Sequence, residues 1–178
     1  MEDFDILDAT GKPTGEVRSA ADAHTFGLTH RTVHVWLVNA RKEILLQKRS
    51  PQMRAFPGQW DISVGGHIPT GEHSLDAAIR ETHEELGLAF PPSAFEFLFT
   101  IKEHFEPSDG RYIDDEFQDV YLVRSDATIA DIALQEGEVT EVRWLSLDEF
   151  ERWIQGAGEL ITPHHEEQVR LLDHLRKN

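Results

Sequence analysis

The apolar positions of this chain follow two rhythms. Leu75, Ile79, Thr82 and Leu86 are spaced 4, 3 and 4 apart, the recurrence of one helical face, apolar except at Thr82. Ser74 offers an N-cap and Gly87 sits where a left-handed terminator belongs, so the spacing predicts a helix between them. Short runs rich in β-branched and aromatic residues predict strands over 32–38, 44–48, 60–64, 95–105, 117–123 and 139–145. Residues 39–42 connect the first two of these, and Phe56-Pro57-Gly58 marks a turn before the third. Residues 4–8 and 16–18 flank a Gly/Pro-rich turn and predict a small N-terminal hairpin over about 4–18. Closing helices are expected over 147–154 and 163–175, with Pro163 in the first turn of the last. Repeats, low-complexity tracts and linkers are absent, so the expectation is a single domain over 1–178. Its class is α/β (α+β), a mixed sheet with helices on its faces.

Composition narrows the setting. The 178 residues are 39% hydrophobic and 28% charged, ordinary for a globular domain. No run of apolar residues is long enough for a transmembrane helix, and the first residues are acidic where a secretory signal is basic, so a cytoplasmic protein without a membrane partner is expected. There is no cysteine, which removes disulfides, thiolate metal sites and cysteine nucleophiles. Asp and Glu number 33 against 17 Lys and Arg, a net charge of -16. With neither a basic stripe nor aromatics interleaved on a charged surface, nucleic acid is not an expected partner. Monomer and homodimer both remain open. A solvated acidic surface accounts for this charge, unless some carboxylates cluster to hold cations.

They do cluster. On the predicted helix Glu81, Glu84 and Glu85 stand at i, i+3 and i+4 and can converge on one face. Like charges so placed cost roughly 0.2–0.5 kcal/mol per pair, so the group gains from a hard divalent cation with a preference for oxygen ligands. Taken alone, the three glutamates would read as a solvated face; their surroundings reverse that. Arg80 lies four residues before Glu84, Gly65-Gly66 allows close backbone approach, and Glu72 falls near the helix start. The pattern runs Gly66, five residues, Glu72, seven residues, Arg80-Glu81, two residues, Glu84-Glu85, one residue, Gly87 and Leu88. It resembles the Nudix box, over 66–88, at every fixed position. Thr82 departs from the usual aliphatic residue and can instead bond back to a helical carbonyl.

The resemblance implies a Nudix-type α/β/α sandwich with a loop-helix-loop metal site. It implies hydrolysis of a diphosphate linkage in a small molecule, such as a nucleoside diphosphate linked to another moiety, with Mg2+ (or Mn2+). Metal ions there neutralise phosphoryl oxygens and lower the pKa of bound water. By position, Glu81, Glu84, Glu85 and the Gly66 carbonyl correspond to metal ligands. Arg80 corresponds to a residue that orients a glutamate, and Glu72 and Gly87 to structural positions. A carboxylate outside the box often completes such sites as ligand or base. Asp114, Asp115, Glu116 and Asp119 are the candidates, and Glu116 is favoured.

From about His24 to Val123 the chain is also similar to isopentenyl-diphosphate isomerases. The similarity lies in the order and spacing of residues 30–39, Leu45-Leu46-Gln47-Lys48-Arg49-Ser50, Phe56-Pro57-Gly58-Gln59-Trp60 and Gly66-His67. Those isomerases use a cysteine just before the Gly-His pair; here that residue is Gly65, while the box is intact. Hydrolysis is therefore favoured over isomerisation, and over a non-catalytic nucleotide- or metabolite-binding module, since such modules usually lack box glutamates. His30 and His67 align with the isomerases' histidine-containing metal site, and His24 does so approximately. Structural or substrate-contacting histidines are nevertheless preferred over a second metal. Arg49, placed where the isomerases present an arginine to the diphosphate, is the first choice of substrate contact, with Arg54 and His67 as further choices. Trp36 and Trp60 are expected in the core, Trp60 alternatively walling a pocket; Trp144 and Trp153 are expected to pack. His164 and His165 are expected to face solvent at the start of the last helix.

Overall fold

The run predicted at 32–38 becomes the centre of the molecule. The computed structural model describes residues 2–107 and 112–177. The small N-terminal sheet pairs β1 (Asp3–Leu7) with β2 (Pro13–Ser19). A short helix, α1 (Ala20–Phe26), follows it. The central strand β3 (His30–Val38) is buried almost without interruption because both its faces are covered. Val33, Val35 and Leu37 point into one core, Trp36 and Val38 into the other.

Around β3, seven strands form one sheet among the described residues. These are β3 itself, β4 (Glu43–Arg49), β5 (Trp60–Asp61), β6 (Val64–His67), β7 (Phe95–Phe105), β8 (Asp114–Arg124) and β9 (Val139–Ser146). β3 runs parallel to β8, from His30 opposite Glu116 to Val38 opposite Arg124, and β8 runs antiparallel to β7. On its other edge β3 is antiparallel to β6 and touches β4 at Val38 and Ile44. β4 then diverges to pair with β5 and β9.

One face of this sheet carries α2 (Ser74–Leu86), the other α3 (Leu147–Ile154) and α4 (His165–Lys177). The α2 side buries Ala77, Ala78 and Leu86 against the valines of β3. The α3/α4 side buries Phe150, Trp153, Leu171, Leu172 and Leu175 against Trp36 and Trp60. The architecture is the expected mixed sheet between helical layers. No helix among the described residues is long and apolar enough to cross a membrane.

Four details differ from the sequence reading. The helix α1 was not anticipated, although Ser19 accepts from the Asp22 N–H and Gly27 closes the helix at φ 61°; both signals stand in the sequence. The strand expected over 60–64 is two short strands, because Ile62 and Ser63 turn the chain from β4 towards β3. His73, not Ser74, is the N-cap of α2; the Ser74 hydroxyl is drawn instead to the Tyr121 hydroxyl at 2.9 Å. Pro163 precedes α4 by two residues and lies outside its first turn. Gly87 does terminate α2 at φ 68°, and Thr82 donates to the Ala78 carbonyl at 2.7 Å.

Candidate functional site

A cleft of about 310 Å³ opens beside β3 and β6, and its lining includes Arg80, Glu81, Glu84 and Glu85 of α2. The β3–β6 register sets Gly65 opposite His34 and Gly66 opposite Val33. A Cβ on Gly66 would overlap the Glu81 carboxyl, so glycine is required for this carboxylate to lie against the strand. Arg80 organises the group. Its Nε and Nη2 donate to Glu72 at 3.1 and 2.8 Å, and its Nη1 donates to Glu81 at 2.8 Å and to Glu84 at 3.0 Å. Nη2 also donates to the His67 carbonyl at 3.1 Å, which ties the loop to the helix. Glu72 is thus occupied by Arg80, as a framework residue would be.

Arg80 does not balance the charges it faces. Burial pushes the Glu81 carboxyl up to about 7 even though Arg80 pulls the other way. Glu85 is buried at 4% exposure and lies well above the usual carboxylate range, first through burial and then through Glu81. It accepts from Gln47 Nε2 at 2.8 Å and from the Gly65 N–H at 3.4 Å. Two carboxyls withdrawn from water and short of positive charge form an oxygen-donor set that a hard divalent cation suits. The box glutamates are not drawn into a tight ligand cage, because Arg80 holds Glu81 and Glu84 to itself.

The sets of ligand atoms that converge within 4.8 Å among the described residues contain histidine instead. His24 comes from α1, His30 opens β3 and His67 ends β6. His24 Nδ1, His30 Nε2 and His67 Nε2 are buried without a hydrogen-bond partner. His30 Nδ1 faces the Leu28 carbonyl at 2.9 Å, so that nitrogen carries the proton and Nε2 presents its lone pair in the neutral ring. Asp114 lies 2.9 Å from His24 Nδ1, and Glu116 lies 3.5 Å from His30 and 3.8 Å from His67. The three rings and these carboxylates could hold a second cation, and they gather more closely than their spacing in sequence suggested. Glu116 sits within β8 at 8% exposure, not in a loop. Burial would raise its pKa, but His30 and His67 outweigh burial and hold it below the usual range. His67 is pushed down to about 4 by burial, and His30 is raised because Glu116 outweighs the burial of its ring.

A third group closes the cleft on the side of α4. Asp61 accepts from Arg49 Nη1 at 2.8 Å, from Thr162 at 2.6 Å and from the Ile62 N–H at 2.8 Å. Arg49 Nε donates to the Ala55 carbonyl at 3.0 Å, so its guanidinium is anchored while it lines the cleft. His164 does not face solvent as expected. Its Nδ1 is 2.5 Å from Glu103 and its Nε2 is 3.5 Å from Asp61. Those carboxylates overcome burial and raise its pKa well above the usual value, making it an imidazolium. The sequence holds no local sign of this, since Asp61 and Glu103 are remote from residue 164. His165 is exposed. Behind these, the Glu167 carboxylate accepts from His34 Nδ1 at 2.8 Å and from Trp36 Nε1 at 2.6 Å. Arg54 is exposed on its loop and is not among the residues lining the cleft. Trp60 is 1% exposed in the core and does not line the cleft, which removes its alternative role as a pocket wall.

Comparison with known proteins places these groups in a family. A model of the NUDIX domain matches residues 28–172. The chain is 37% identical over 181 residues to Nudix hydrolase 3 of Arabidopsis thaliana, matching along 99% of its own length and spanning 23% of that relative. It is 31% identical over 161 residues to an uncharacterized Nudix hydrolase of Listeria monocytogenes, covering 90% of this chain and 89% of that one. It is also 31% identical over 159 residues to the isopentenyl-diphosphate Delta-isomerase of Shigella flexneri, covering 89% and 84%. Among solved structures, the Deinococcus radiodurans protein DR0079 superposes with a TM-score of 0.71 at 25% identity, over 95% of this chain and 98% of that one. The NUDIX domain of Shewanella oneidensis NrtR, solved with ADP ribose, shares the fold at a TM-score of 0.61 and 19% identity, over 82% and 87%.

Proposed function

The chain belongs to the NUDIX family and is a Nudix hydrolase, and on that premise we propose that it cleaves a diphosphate linkage in a small molecule with Mg2+ or Mn2+ held by Glu81, Glu84, Glu85 and the Gly66 backbone. The observation that carries this reading is geometric: Glu81, Glu84 and Glu85 line one cleft, with the Glu81 carboxyl lying against Gly66, where no Cβ would fit. A divalent cation bound there supplies Lewis-acid neutralisation of the phosphoryl oxygens. The chain's own residues do the positioning. Arg80 sets the glutamates, and Glu72 sets Arg80. Arg49 has Nε and Nη1 anchored, and its Nη2, without a partner among the described residues, is directed to a phosphate oxygen of the substrate.

The histidine group favours a second cation. Three converging ring nitrogens that make no hydrogen bond, with the Asp114 and Glu116 carboxylates beside them, suit a metal that accepts nitrogen ligands. This assigns Glu116 and His67 to that position in preference to base and substrate contact. Isomerase activity is disfavoured because Gly65 stands where the related isomerases have their cysteine.

The experiment is a panel of diphosphate compounds assayed with Mg2+ and with Mn2+, including ADP-ribose, nucleoside triphosphates, nucleotide sugars, dinucleoside polyphosphates and isopentenyl diphosphate. Metal-dependent release of a phosphorylated product is expected from at least one. Unchanged turnover after Glu84→Gln with Glu85→Gln would sink the assignment of the box carboxylates. Conversion of isopentenyl diphosphate to its isomer would overturn the hydrolase reading.

A further inference from the structure

We propose that His34, held in place by Glu167, is the general base of the hydrolysis proposed above, an inference that rests on that reading. The box supplies carboxylates to the cleft, but each is engaged by groups of the protein. Glu81 and Glu84 are bound to Arg80, and Glu85 is bound to Gln47 and Gly65. Glu116, the carboxylate favoured from sequence, lies between two imidazoles and accepts from Thr32 and Gln118 at 3.2 and 3.1 Å. Its Oε2 is taken by these two donors and its Oε1 faces the histidine group, away from the box.

His34 is placed differently. It is 6% exposed, and the little that is open lines the cleft. Glu167 is fully buried on α4, and both its oxygens take donors, His34 Nδ1–H on one and Trp36 Nε1–H on the other. The hydrogen bonds from His34 and Trp36, with the charge of His164 nearby, hold it ionised against the pull of burial. A carboxylate with two donors can only accept, so the His34 proton is fixed on Nδ1 and the Nε2 lone pair is left for the cleft. Among the described residues Nε2 has no hydrogen-bond partner. A buried carboxylate thus fixes the orientation and tautomer of an imidazole, as in other carboxylate–imidazole pairs used for base catalysis. The same geometry argues against a metal at His34, His164 and Glu167, although their ligand atoms converge. His164 is an imidazolium between Asp61 and Glu103, and such a ring has no lone pair to offer.

Gly65 connects this ring to the box. A Cβ at residue 65 would stand 3.6 Å from His34 Cδ2 and 3.1 Å from Ile62 Cδ1, and the Gly65 N–H faces Glu85. A side chain here would stand between the imidazole and the cleft, so the glycine leaves His34 uncovered next to a box carboxylate. Where the similar isomerases carry a catalytic cysteine, this chain has a gap backed by an imidazole. In the step itself a water oxygen forms a bond to phosphorus and the bond from that phosphorus to the bridging oxygen breaks. The electron pair of the broken bond leaves with the departing phosphate, and the water proton passes to His34 Nε2.

The test pairs kinetics with a tautomer measurement. With whichever panel substrate the wild type hydrolyses, His34→Gln is expected to lower kcat about 10²–10⁴-fold while KM stays within about threefold. Glu167→Gln, which reaches the cleft only by way of the ring, is expected to lower kcat by a smaller factor. Histidine 15N resonances of the metal-free wild type should show the neutral His34 ring protonated at Nδ1, and Glu167→Gln should weaken that preference. A neutral ring protonated at Nε2 overturns the proposal, as does His34→Gln with kcat within about threefold of wild type. Should His34→Gln fail to fold, the tautomer in the wild type decides. A wild type that hydrolyses no panel member overturns the hydrolase reading and this proposal with it, whereas an active wild type matched by an equally active His34→Gln overturns this proposal alone.

Discussion

The carboxyl of Glu81 makes the metal-free protein's stability depend on pH in a way that one substitution removes. Its pKa stands at about 7 in the folded chain against an ordinary 4.5, with burial the leading cause. Below about pH 4.5 the folded and unfolded states are both protonated there and the group contributes no difference. Between that pH and about 7 the folded state keeps a proton that the unfolded state has released, so stability falls as pH rises. Above pH 7 the loss is complete and flat. The displacement amounts to about 3 kcal/mol, at roughly 1.4 kcal/mol per pKa unit. Glu81→Gln keeps the shape and an acceptor for Arg80 while deleting the proton. Thermal melts in EDTA should therefore show the variant gaining on the wild type from about pH 4.5 to pH 8, by roughly 6–12 °C in Tm for a chain of this length. Mg2+ added at pH 8 to a thousand times Kd should reverse the order, since a ligand of the folded state then contributes about 4.1 kcal/mol and the amide is a poor ligand. Melting curves that stay parallel across this pH range would refute the claim that Glu81 is held short of positive charge.

Gly66→Ala should cost hydrolysis at least about tenfold with a small change in Tm, because the new methyl displaces the Glu81 carboxyl while the core is untouched; kcat and melts of the same preparation check it. Asp61→Asn leaves Arg49 and His164 without their shared buried counter-charge and should destabilise the protein by about 3–5 kcal/mol, read from urea unfolding. In a Glu84→Gln, Glu85→Gln background Mn2+ should still raise Tm through His24, His30 and His67, and adding His67→Gln should abolish that rise; a rise that survives places the ion elsewhere.

The box was legible because its chemistry is local. Gly66, Glu72 and 80–88 lie on the end of one strand, the loop after it and one helix, so spacing alone aligns Arg80 with its three carboxylates and places Gly87 at the left-handed cap. The strands were legible for the same reason, through β-branched runs such as that of β3. What escaped depends on pairings between distant segments. His164 is turned from solvent because Asp61 and Glu103 arrive from β5 and β7, and Glu167 is a core carboxylate because β3 brings His34 and Trp36 beneath α4. The histidine group needed α1 to deliver His24, and that helix was passed over although Ser19, Asp22 and Gly27 mark its ends. The break between β5 and β6 follows from the sheet's need to serve β4 and then β3, which no window of five residues contains.

The remaining difficulty is how a chain of net charge -16 attracts a polyanion. Of its Lys and Arg residues, only Arg49 and Arg80 line the cleft among the described residues, and both are paired, with Asp61 and with Glu72, Glu81 and Glu84. His164 is likewise held between Asp61 and Glu103. The cleft thus offers no uncompensated cation of its own, and at neutral pH its field repels a diphosphate. On the function proposed above, cations held by the box carboxylates and by the histidine group would reverse that sign. Substrate affinity, and not only turnover, should therefore depend on the divalent ion, with inorganic pyrophosphate binding measurably in Mg2+ and not in EDTA. Equal pyrophosphate affinity in both conditions would mean that the paired arginines suffice, and that the acidic cleft owes nothing to the metal in recognising its substrate.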